Sequence, residues 1–252
     1  MPAVLRKAAF FAILLLFWQG ACSLQFCPDY LLPAPWQVVA SLAQGWREGT
    51  LLYGLLISLK RMGIGFGLAV LLGGALGLLV GRSGPLAQAG RSLLMGLQSF
   101  PSICWFPFAI ILLGLQEGAI IFVAVMGAVF SAAIATRDGI GNLPRNLTGA
   151  ALTLGARGWR LYTAVKLPAA LPGIITGLKQ SWSFTWRSLM GGELLFGNLG
   201  LGHLLMQARD LGDMPRVLGV MLTILLVGMI IEQGLFARLE RAVQRRWGLE
   251  SN

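Results

Sequence analysis

The sequence predicts an all-α membrane protein with about six transmembrane helices. Of its 252 residues, 56% are hydrophobic and only 12% are charged, whereas soluble domains carry about 25% charged residues. The mean hydropathy is +0.73, and several apolar runs reach the roughly 20 residues that a helix needs to cross a bilayer. The runs are continuously apolar rather than alternating, which favours helices over barrel strands.

Six apolar runs are the predicted spans, which interact directly with the lipid bilayer. In chain order they cover about residues 8–26, 50–80, 86–115, 119–136, 168–192 and 215–235. Pro101 and Pro107 lie inside the third span and predict a break there, because proline removes a backbone donor and kinks a helix. A tight turn is expected at Gln116–Gly118, just before the fourth span.

The first span follows Arg6 and Lys7 and resembles a secretory signal peptide. The segment Gly20–Cys22 also resembles a lipoprotein cleavage site, but Gln19 stands where an aliphatic residue is wanted. Because five more spans follow, we favour an uncleaved anchor, with cleavage of this helix as the open alternative.

The chain divides into three predicted parts. Residues 1–49 form an N-terminal anchor helix and an external segment, residues 50–237 form the membrane core, and residues 238–252 form a basic, amphipathic tail. A hydrophilic segment, 138–167, connects the fourth and fifth spans within the core.

Basic residues are distributed unequally over the two sides of the predicted membrane. With six spans both termini face one side, and that side collects most basic loop residues: Arg6, Lys7, Arg82, Arg91, Arg137, Arg145, Arg157, Arg160, Lys166, Arg238, Arg241, Arg245 and Arg246. The opposite loops hold Arg47, Arg209 and Arg216. Cytoplasmic loops carry the excess of Lys and Arg, so we expect both termini in the cytoplasm. This distribution also explains the net charge of +10 without nucleic-acid binding.

The sequence offers few of the groups that catalysis requires. It contains one histidine, His203, and three cysteines without metal-ligand spacing. A phosphate-binding loop needs Gly followed by Lys, but the four lysines follow Arg6, Leu59, Val165 and Leu178. We therefore expect no catalytic residue, no metal and no cofactor on this chain.

The hydrophilic segment between spans four and five has the features of a docking element. Its pattern predicts two short helices broken at Gly155, and then a membrane helix starting at Pro168, since proline suits a first helical turn. The small residues Ala150 and Ala151 allow close approach of a partner. The basic residues Arg157, Arg160 and Lys166 surround an apolar stripe. The stripe consists of Trp159, Tyr162 and Val165. An ordinary connecting loop is the alternative.

This segment resembles the coupling motif of binding-protein-dependent ABC permeases. That motif is Glu-Ala-Ala, three residues, Gly, nine residues, an aliphatic residue, any residue and Leu-Pro. The matching positions here are Gly149-Ala150-Ala151, Gly155 and Val165-Lys166-Leu167-Pro168. All spacings agree, and the departure is Gly149 in place of the family's Glu, which leaves one polar contact to the ATPase open. The resemblance assigns coupling to Gly149, Ala150, Ala151, Gly155, Arg157, Trp159, Leu167 and Pro168.

Further segments resemble the nitrate, sulfonate and taurine branch of these permeases. They are Leu32–Pro35, Ser58–Arg61 with Gly65-Phe66, Phe100–Ile103 with Trp105 and Pro107, Gly177–Lys179, Trp186–Leu189 with Glu193, and Gly200–Gly202. The resemblance implies a type I ABC importer permease in a bacterial inner membrane. It also implies a homodimer, two cytoplasmic ATPase subunits that hold ATP and magnesium, and an external substrate-binding protein. A small anion such as nitrate, a sulfonate or taurine is the implied substrate, and the choice among them is left to the binding protein.

Charged residues inside the predicted spans indicate a second site. Each costs about 2.5–3.5 kcal/mol by insertion scales, so Lys60, Arg61, Arg187 and Glu193 are predicted to line a net positive path for small anions. A structural ion pair, or a side chain that extends to the interface, is the alternative. Arg187 and Glu193 lie six positions, about 120°, apart on a helix, so we expect each to pair elsewhere or to meet water.

Two other functional classes are alternatives. An ion-gradient-driven secondary transporter predicts inverted repeats with broken helices in both halves, and the sequence shows no convincing repeat. A membrane enzyme requires clustered histidines or carboxylates, which are scarce here.

Overall fold

The structure is a computed structural model that describes residues 3–24, 28, 31–81, 85–143 and 145–246. Its α-helices are α1 (Ala3–Ser23), α2 (Pro35–Arg47), α3 (Thr50–Val80), α4 (Pro85–Ser99), α5 (Phe106–Leu113), α6 (Glu117–Gly141), α7 (Arg145–Thr153), α8 (Gly158–Leu161), α9 (Leu167–Leu195), α10 (Leu201–Asp210), α11 (Met214–Ile230) and α12 (Ala237–Arg246). A 3-10 turn, Ser102–Trp105, and two π turns, Tyr162–Lys166 and Ile231–Phe236, join some of them. These ranges contain no strand, in agreement with the predicted all-α class.

Among the described residues, four helices are long and apolar enough to cross a membrane: Thr50–Val80, Glu117–Gly141, Gly158–Leu195 and Met214–Arg245. A fifth span results if the bent pair Gln88–Ser99 and Ser102–Leu113 crosses as one unit. The first predicted span corresponds to a shorter apolar helix, Ala9–Ser23. Five of the six predicted spans therefore have a spanning helix or bent pair, and the first has a shorter helix.

The third predicted span is broken at Pro101, as its sequence predicts. The two parts of the span meet at 93°. Proline has no N–H to donate and disfavours the helical conformation of the residue before it, so α4 ends at Ser99. Pro107 lies in the first turn of α5, where a missing N–H has no consequence. Only Pro101 therefore interrupts the helix.

The turn before α6 differs from the prediction. It falls on residues 114–116, and Glu117 is already the first residue of α6. The predicted external segment also contains a helix, α2, which begins at Pro35 after the N–H of Ala34 bonds to Gln37 Oε1 at 2.8 Å. Trp18 Nε1 of α1 donates to the Pro33 carbonyl at 3.2 Å, which ties α1 to this segment.

The chain packs as two compact units. The first comprises Met1–Ser58 and Glu193–Leu226, and the second comprises Leu59–Gly192 and Val227–Asn252. In the first unit, a cluster of Leu51, Leu204 and Val220 is buried. In the second unit the buried cluster consists of Ala69, Leu94, Val125, Ala128, Val129, Phe130 and Ala133.

Helix α6 is largely buried in the second unit. Small residues on the neighbouring helices let their backbones approach it closely. A Cβ added at Gly73 of α3 would lie 2.5 Å from the Val129 carbonyl oxygen. A Cβ at Gly177 of α9 would collide with Ala135. Such close backbone approach is typical of packed membrane helices, and it fixes the register of α6 against α9.

Several predictions fall on residues that the structure does not describe. Arg82 and the tail residues 247–252 lie outside the described residues, as do the side chains of Lys7, Arg145 and Arg246.

Candidate functional site

The helical part of the predicted coupling loop 138–167, extended to Pro168, is called the coupling segment and covers residues 145–168. It begins with α7, which ends at a defined cap. Gly155 has φ +85°. Its N–H donates to the Leu152 carbonyl at 3.0 Å, and the N–H of Ala156 donates to the Ala151 carbonyl at 2.9 Å. This pair of bonds forms a Schellman cap, which requires a left-handed residue and hence favours glycine. The predicted break at Gly155 is confirmed.

The second half of the coupling segment differs from the prediction. Helix α8 does not end before Pro168, because the π turn Tyr162–Lys166 joins it directly to α9. The N–H of Leu167 donates to the Tyr162 carbonyl, five residues back. This wider turn accommodates a proline without ending the helix. The result is a continuous helical rod, Gly158–Leu195, of 38 residues.

The coupling segment exposes large apolar side chains. Leu154 is 87% exposed and Trp159 is 81% exposed. Gly149, Ala150, Arg157, Arg160 and Leu167 are also exposed, Val165 and Pro168 are half-buried, and Ala151 is buried. Lys166 Nζ lies 4.7 Å from the centre of the Tyr162 ring. An exposed apolar surface with a basic rim is typical of a docking surface.

Two of the four predicted path residues meet at Glu117, in the second unit. Glu117 Oε1 lies 3.4 Å from Lys60 Nζ and 3.2 Å from Arg61 Nε. The Lys60 side chain is 63% exposed, whereas that of Arg61 is 5% exposed. Sequence reasoning missed Glu117 as a partner. Its position as the first residue of an apolar helix was the available signal, since a carboxylate there also interacts favourably with the helix dipole.

Arg187, the third predicted path residue, is exposed on α9. Its Nε donates to the Ser183 carbonyl at 3.1 Å, and its guanidinium lies 5.0 Å from the centre of the Phe184 ring. Both contacts are with its own helix, so the charged group faces outward from α9. This placement agrees with a side chain that meets water.

Glu193, the fourth predicted path residue, is 0% exposed in the first unit. Ser58 Oγ donates to its carboxylate, and the N–H of Gly202 donates to Glu193 Oε2 at 3.0 Å. Ser58 Oγ also accepts the N–H of Leu201 at 2.9 Å. The carboxylate thus caps the start of α10. The structure buries Glu193 fully, and its partner Ser58 was not predicted.

A cavity of about 680 Å³ lies in the second unit, between α6 and α9. Its lining includes Gln98, Ser131, Asp138, Asn142, Leu147, Thr176 and Gln180. Sequence reasoning did not identify this cavity, although Gln98 and Gln180 are polar residues in largely apolar runs. Within the described ranges, no three His, Cys, Asp or Glu side chains are arranged to hold a metal ion.

Comparison with known proteins places this architecture in a family. Residues 69–245 match the family described as binding-protein-dependent transport system inner membrane component. The chain is 32% identical to the putative aliphatic sulfonates transport permease protein SsuC of Escherichia coli, covering 91% of this chain and 87% of that protein. It is 30% identical to the taurine transport system permease protein TauC of Escherichia coli (93% and 86% covered). It is 27% identical to the nitrate import permease protein NrtB of Synechocystis sp. (92% and 86% covered).

Among solved structures, a chain from the inward-facing MetNI methionine ABC transporter superposes with a TM-score of 0.68 at 22% identity. The match covers 77% of this chain and 96% of that chain, and it shows a type I ABC importer permease fold. The protein thus belongs to the binding-protein-dependent transport system inner membrane components, as an ABC importer permease of the nitrate, sulfonate and taurine branch.

Proposed function

We propose that this chain is the membrane subunit of an ATP-driven importer that carries a small oxyanion, such as nitrate, an aliphatic sulfonate, taurine or a related compound. ATP and magnesium are bound and used by separate cytoplasmic ATPase subunits. The observation that carries the proposal is the coupling segment, which exposes Leu154 and Trp159 among basic side chains at the base of a long helical rod.

The second half of the coupling segment suits energy transfer because α8 continues without a break into a membrane helix. The rod Gly158–Leu195 has 38 residues, and a helix rises about 1.5 Å per residue. A rigid-body displacement of docked α8 is therefore transmitted directly to α9. The cap at Gly155 holds α7 in a fixed direction relative to α8, so both short helices move together with the ATPase.

The partners are part of the same proposal. We propose a homodimer of this chain in the bacterial inner membrane, with both termini and the coupling segment in the cytoplasm. An external binding protein delivers the substrate to the opposite side. The sulfonate, taurine and nitrate permeases to which the chain is similar support this substrate class.

Positive charge supports an anionic substrate. Lys60 and Arg187 are exposed, while Arg61 is buried against Glu117. We propose that Lys60 and Arg187 attract anions, whereas Arg61 and Glu193 hold the helices that carry them.

Uptake into proteoliposomes tests the proposal. The chain is reconstituted with the ATPase and the binding protein from its own gene neighbourhood, and uptake of nitrate, taurine and ethanesulfonate is measured with and without internal ATP. Uptake of at least one probe that requires both ATP and the binding protein supports the proposal. Uptake driven by a proton gradient without ATP would indicate a secondary transporter instead.

A further inference from the structure

The cavity between α6 and α9 contains polar side chains that are not hydrogen-bonded within the described part of the chain. The side chains of Gln98, Asn142 and Gln180 make no hydrogen bond to another described residue, and the same holds for the hydroxyl of Ser131, which is 5% exposed. Ser131 is buried and Gln98 is half-buried, and a polar group without a hydrogen bond is costly at such positions, whereas Asn142 and Gln180 are exposed. These donors are thus available to a ligand.

The register of α6 against α9 gives the cavity a direction. Gly139 approaches Ile174, and Gly177 approaches Ala135, so the two helices run antiparallel. The lining extends from Asn142, beside Leu147 of the coupling segment, to Ser131 and Gln180. This distance is 11 residues from Ser131 to Asn142 along α6 and 11 residues from Ala169 to Gln180 along α9, which is roughly 16 Å. The cavity is therefore a vestibule that leads from the coupling segment to the end that holds the buried Ser131.

The charge of the vestibule does not oppose an anion. Asp138 is the charged residue among its described lining residues. Asp138 Oδ1 lies 2.6 Å from Arg137 Nη1, and Asp138 Oδ2 lies 3.9 Å from Arg91 Nη2. A second carboxylate, Glu240, accepts a hydrogen bond from the Thr176 hydroxyl at 3.1 Å and lies 4.0 Å from Lys179 Nζ. Arg91, Arg137 and Lys179 outnumber the two carboxylates, so the local sum of charge is positive.

We propose that Gln98, Ser131 and Gln180 form a transient site for the oxyanion group of the substrate. Their neutral N–H and O–H groups donate hydrogen bonds to the nitrate or sulfonate oxygens. Each such bond contributes a net of only about 0.5–1.5 kcal/mol. Conduction requires a site that binds weakly enough to release, and neutral donors meet this requirement better than cations do. The inference rests on the proposed function and names the residues that the substrate would contact within the membrane helices.

The first test measures the charge preference of the vestibule without any transport. In a chain with Cys22, Cys27 and Cys104 replaced by serine, Thr176→Cys places a thiol in the vestibule, one helical turn from Gln180. Gln88→Cys, exposed on α4 outside the vestibule, is the matched control. Labelling rates are compared for a methanethiosulfonate reagent that carries a sulfonate and for one that carries a trimethylammonium, in the complete complex without nucleotide.

The sulfonate reagent should be preferred more strongly at Thr176→Cys than at Gln88→Cys. Adding Gln180→Glu should lower that preference at Thr176→Cys by at least about tenfold, which corresponds to 1.4 kcal/mol. An equal preference at the two positions, or one that Gln180→Glu leaves unchanged, would refute the site. No labelling of Thr176→Cys would show that a second copy or another element fills the vestibule, which would also refute the oxyanion site.

The second test is uptake of nitrate, taurine and ethanesulfonate by the complete importer. Gln98→Glu and Gln180→Glu should each lower uptake by at least about tenfold, because a like charge opposes the anion, while ATP hydrolysis persists. Gln88→Glu should transport normally. Wild-type uptake of no probe would contradict the proposed function, whereas normal uptake by both Gln98→Glu and Gln180→Glu would contradict only the oxyanion site. If Gln98→Glu or Gln180→Glu fails to assemble, the oxyanion site is judged by the labelling comparison of Thr176→Cys with Gln88→Cys in chains that keep Gln98 and Gln180.

Discussion

Ser58 Oγ lies 2.7 Å from Glu193 Oε2, and both residues are fully buried in the first unit. The same hydroxyl accepts the N–H of Leu201, and the carboxylate accepts that of Gly202. A charged group at 0% exposure is tolerated only when it is hydrogen-bonded in this way. The network joins the C-terminal end of α9 to the start of α10.

The network predicts a stability loss at Ser58. Ser58→Ala removes one hydrogen bond from the buried Glu193 carboxylate and removes the acceptor of the Leu201 N–H, and loss of a buried partner costs about 1–3 kcal/mol. Thermal unfolding of the purified chain in detergent measures the effect. Ser92→Ala, an exposed serine whose hydroxyl bonds to its own helix, is the control. Equal unfolding temperatures for Ser58→Ala and Ser92→Ala would show that the buried network is not stabilising.

Sidedness is predicted from the distribution of basic residues. With the native cysteines replaced by serine, Thr153→Cys in the coupling segment should react with a membrane-impermeant maleimide only in permeabilised cells. Gln116→Cys, in the exposed turn before α6, should react in intact cells. The reverse pattern would invert the proposed topology.

The docking surface predicts a role for Trp159. Trp159→Ala should weaken binding of the purified ATPase by about tenfold or more, because buried aromatic anchors contribute 2 kcal/mol or more at interfaces. Affinity is measured with the chain in nanodiscs. Trp36→Ala, which alters a tryptophan that is 66% exposed on α2, should bind the ATPase normally. Equal affinities for the two variants would place the interface elsewhere.

Anion attraction predicts an effect at Arg187 that depends on salt. Arg187→Gln should lower uptake severalfold at low ionic strength, and the loss should shrink as salt rises, because exposed charges are screened over about 8 Å at physiological salt. Arg47→Gln, an exposed arginine on α2, is the control. A loss that is independent of salt would favour a structural role for Arg187. Arg61→Gln should instead lower the yield of folded protein, since Arg61 is buried.

Much of the architecture was predictable, because apolar length and proline act locally. The presence of a spanning helix at α6 and the break at Pro101 follow from such local effects. The cap at Gly155 was predictable for the same reason, since it depends on one residue that tolerates positive φ. The Schellman bonds add detail to that prediction without changing it.

The unpredicted features depend on contacts between distant residues. Ser58 and Glu193 are 135 residues apart, and Arg61 and Glu117 are 56 apart, so no local pattern links them. The vestibule required the register of α6 against α9, which is set by close approach at Gly177. Burial could not be predicted either, because it depends on the same distant contacts. Arg61 and Glu193 are buried and Arg187 is exposed, although all three are charged residues within apolar runs.

The central claim is that the coupling segment transmits ATP hydrolysis to the membrane helices, and Gly155→Leu tests it most directly. No neighbouring atom lies within 4 Å of a Cβ at this position, and φ is +85°, so leucine strains the cap by about 1–2 kcal/mol without a core clash. Gly212→Leu is the matched control, because Gly212 caps α10 at φ +69° with the same two bonds outside the coupling segment.

Substrate-stimulated ATP hydrolysis and uptake are measured together in proteoliposomes. We predict that the Gly155→Leu chain inserts normally but loses both activities, while Gly212→Leu retains them. Normal stimulation and uptake with Gly155→Leu would contradict the assignment of this segment to energy coupling.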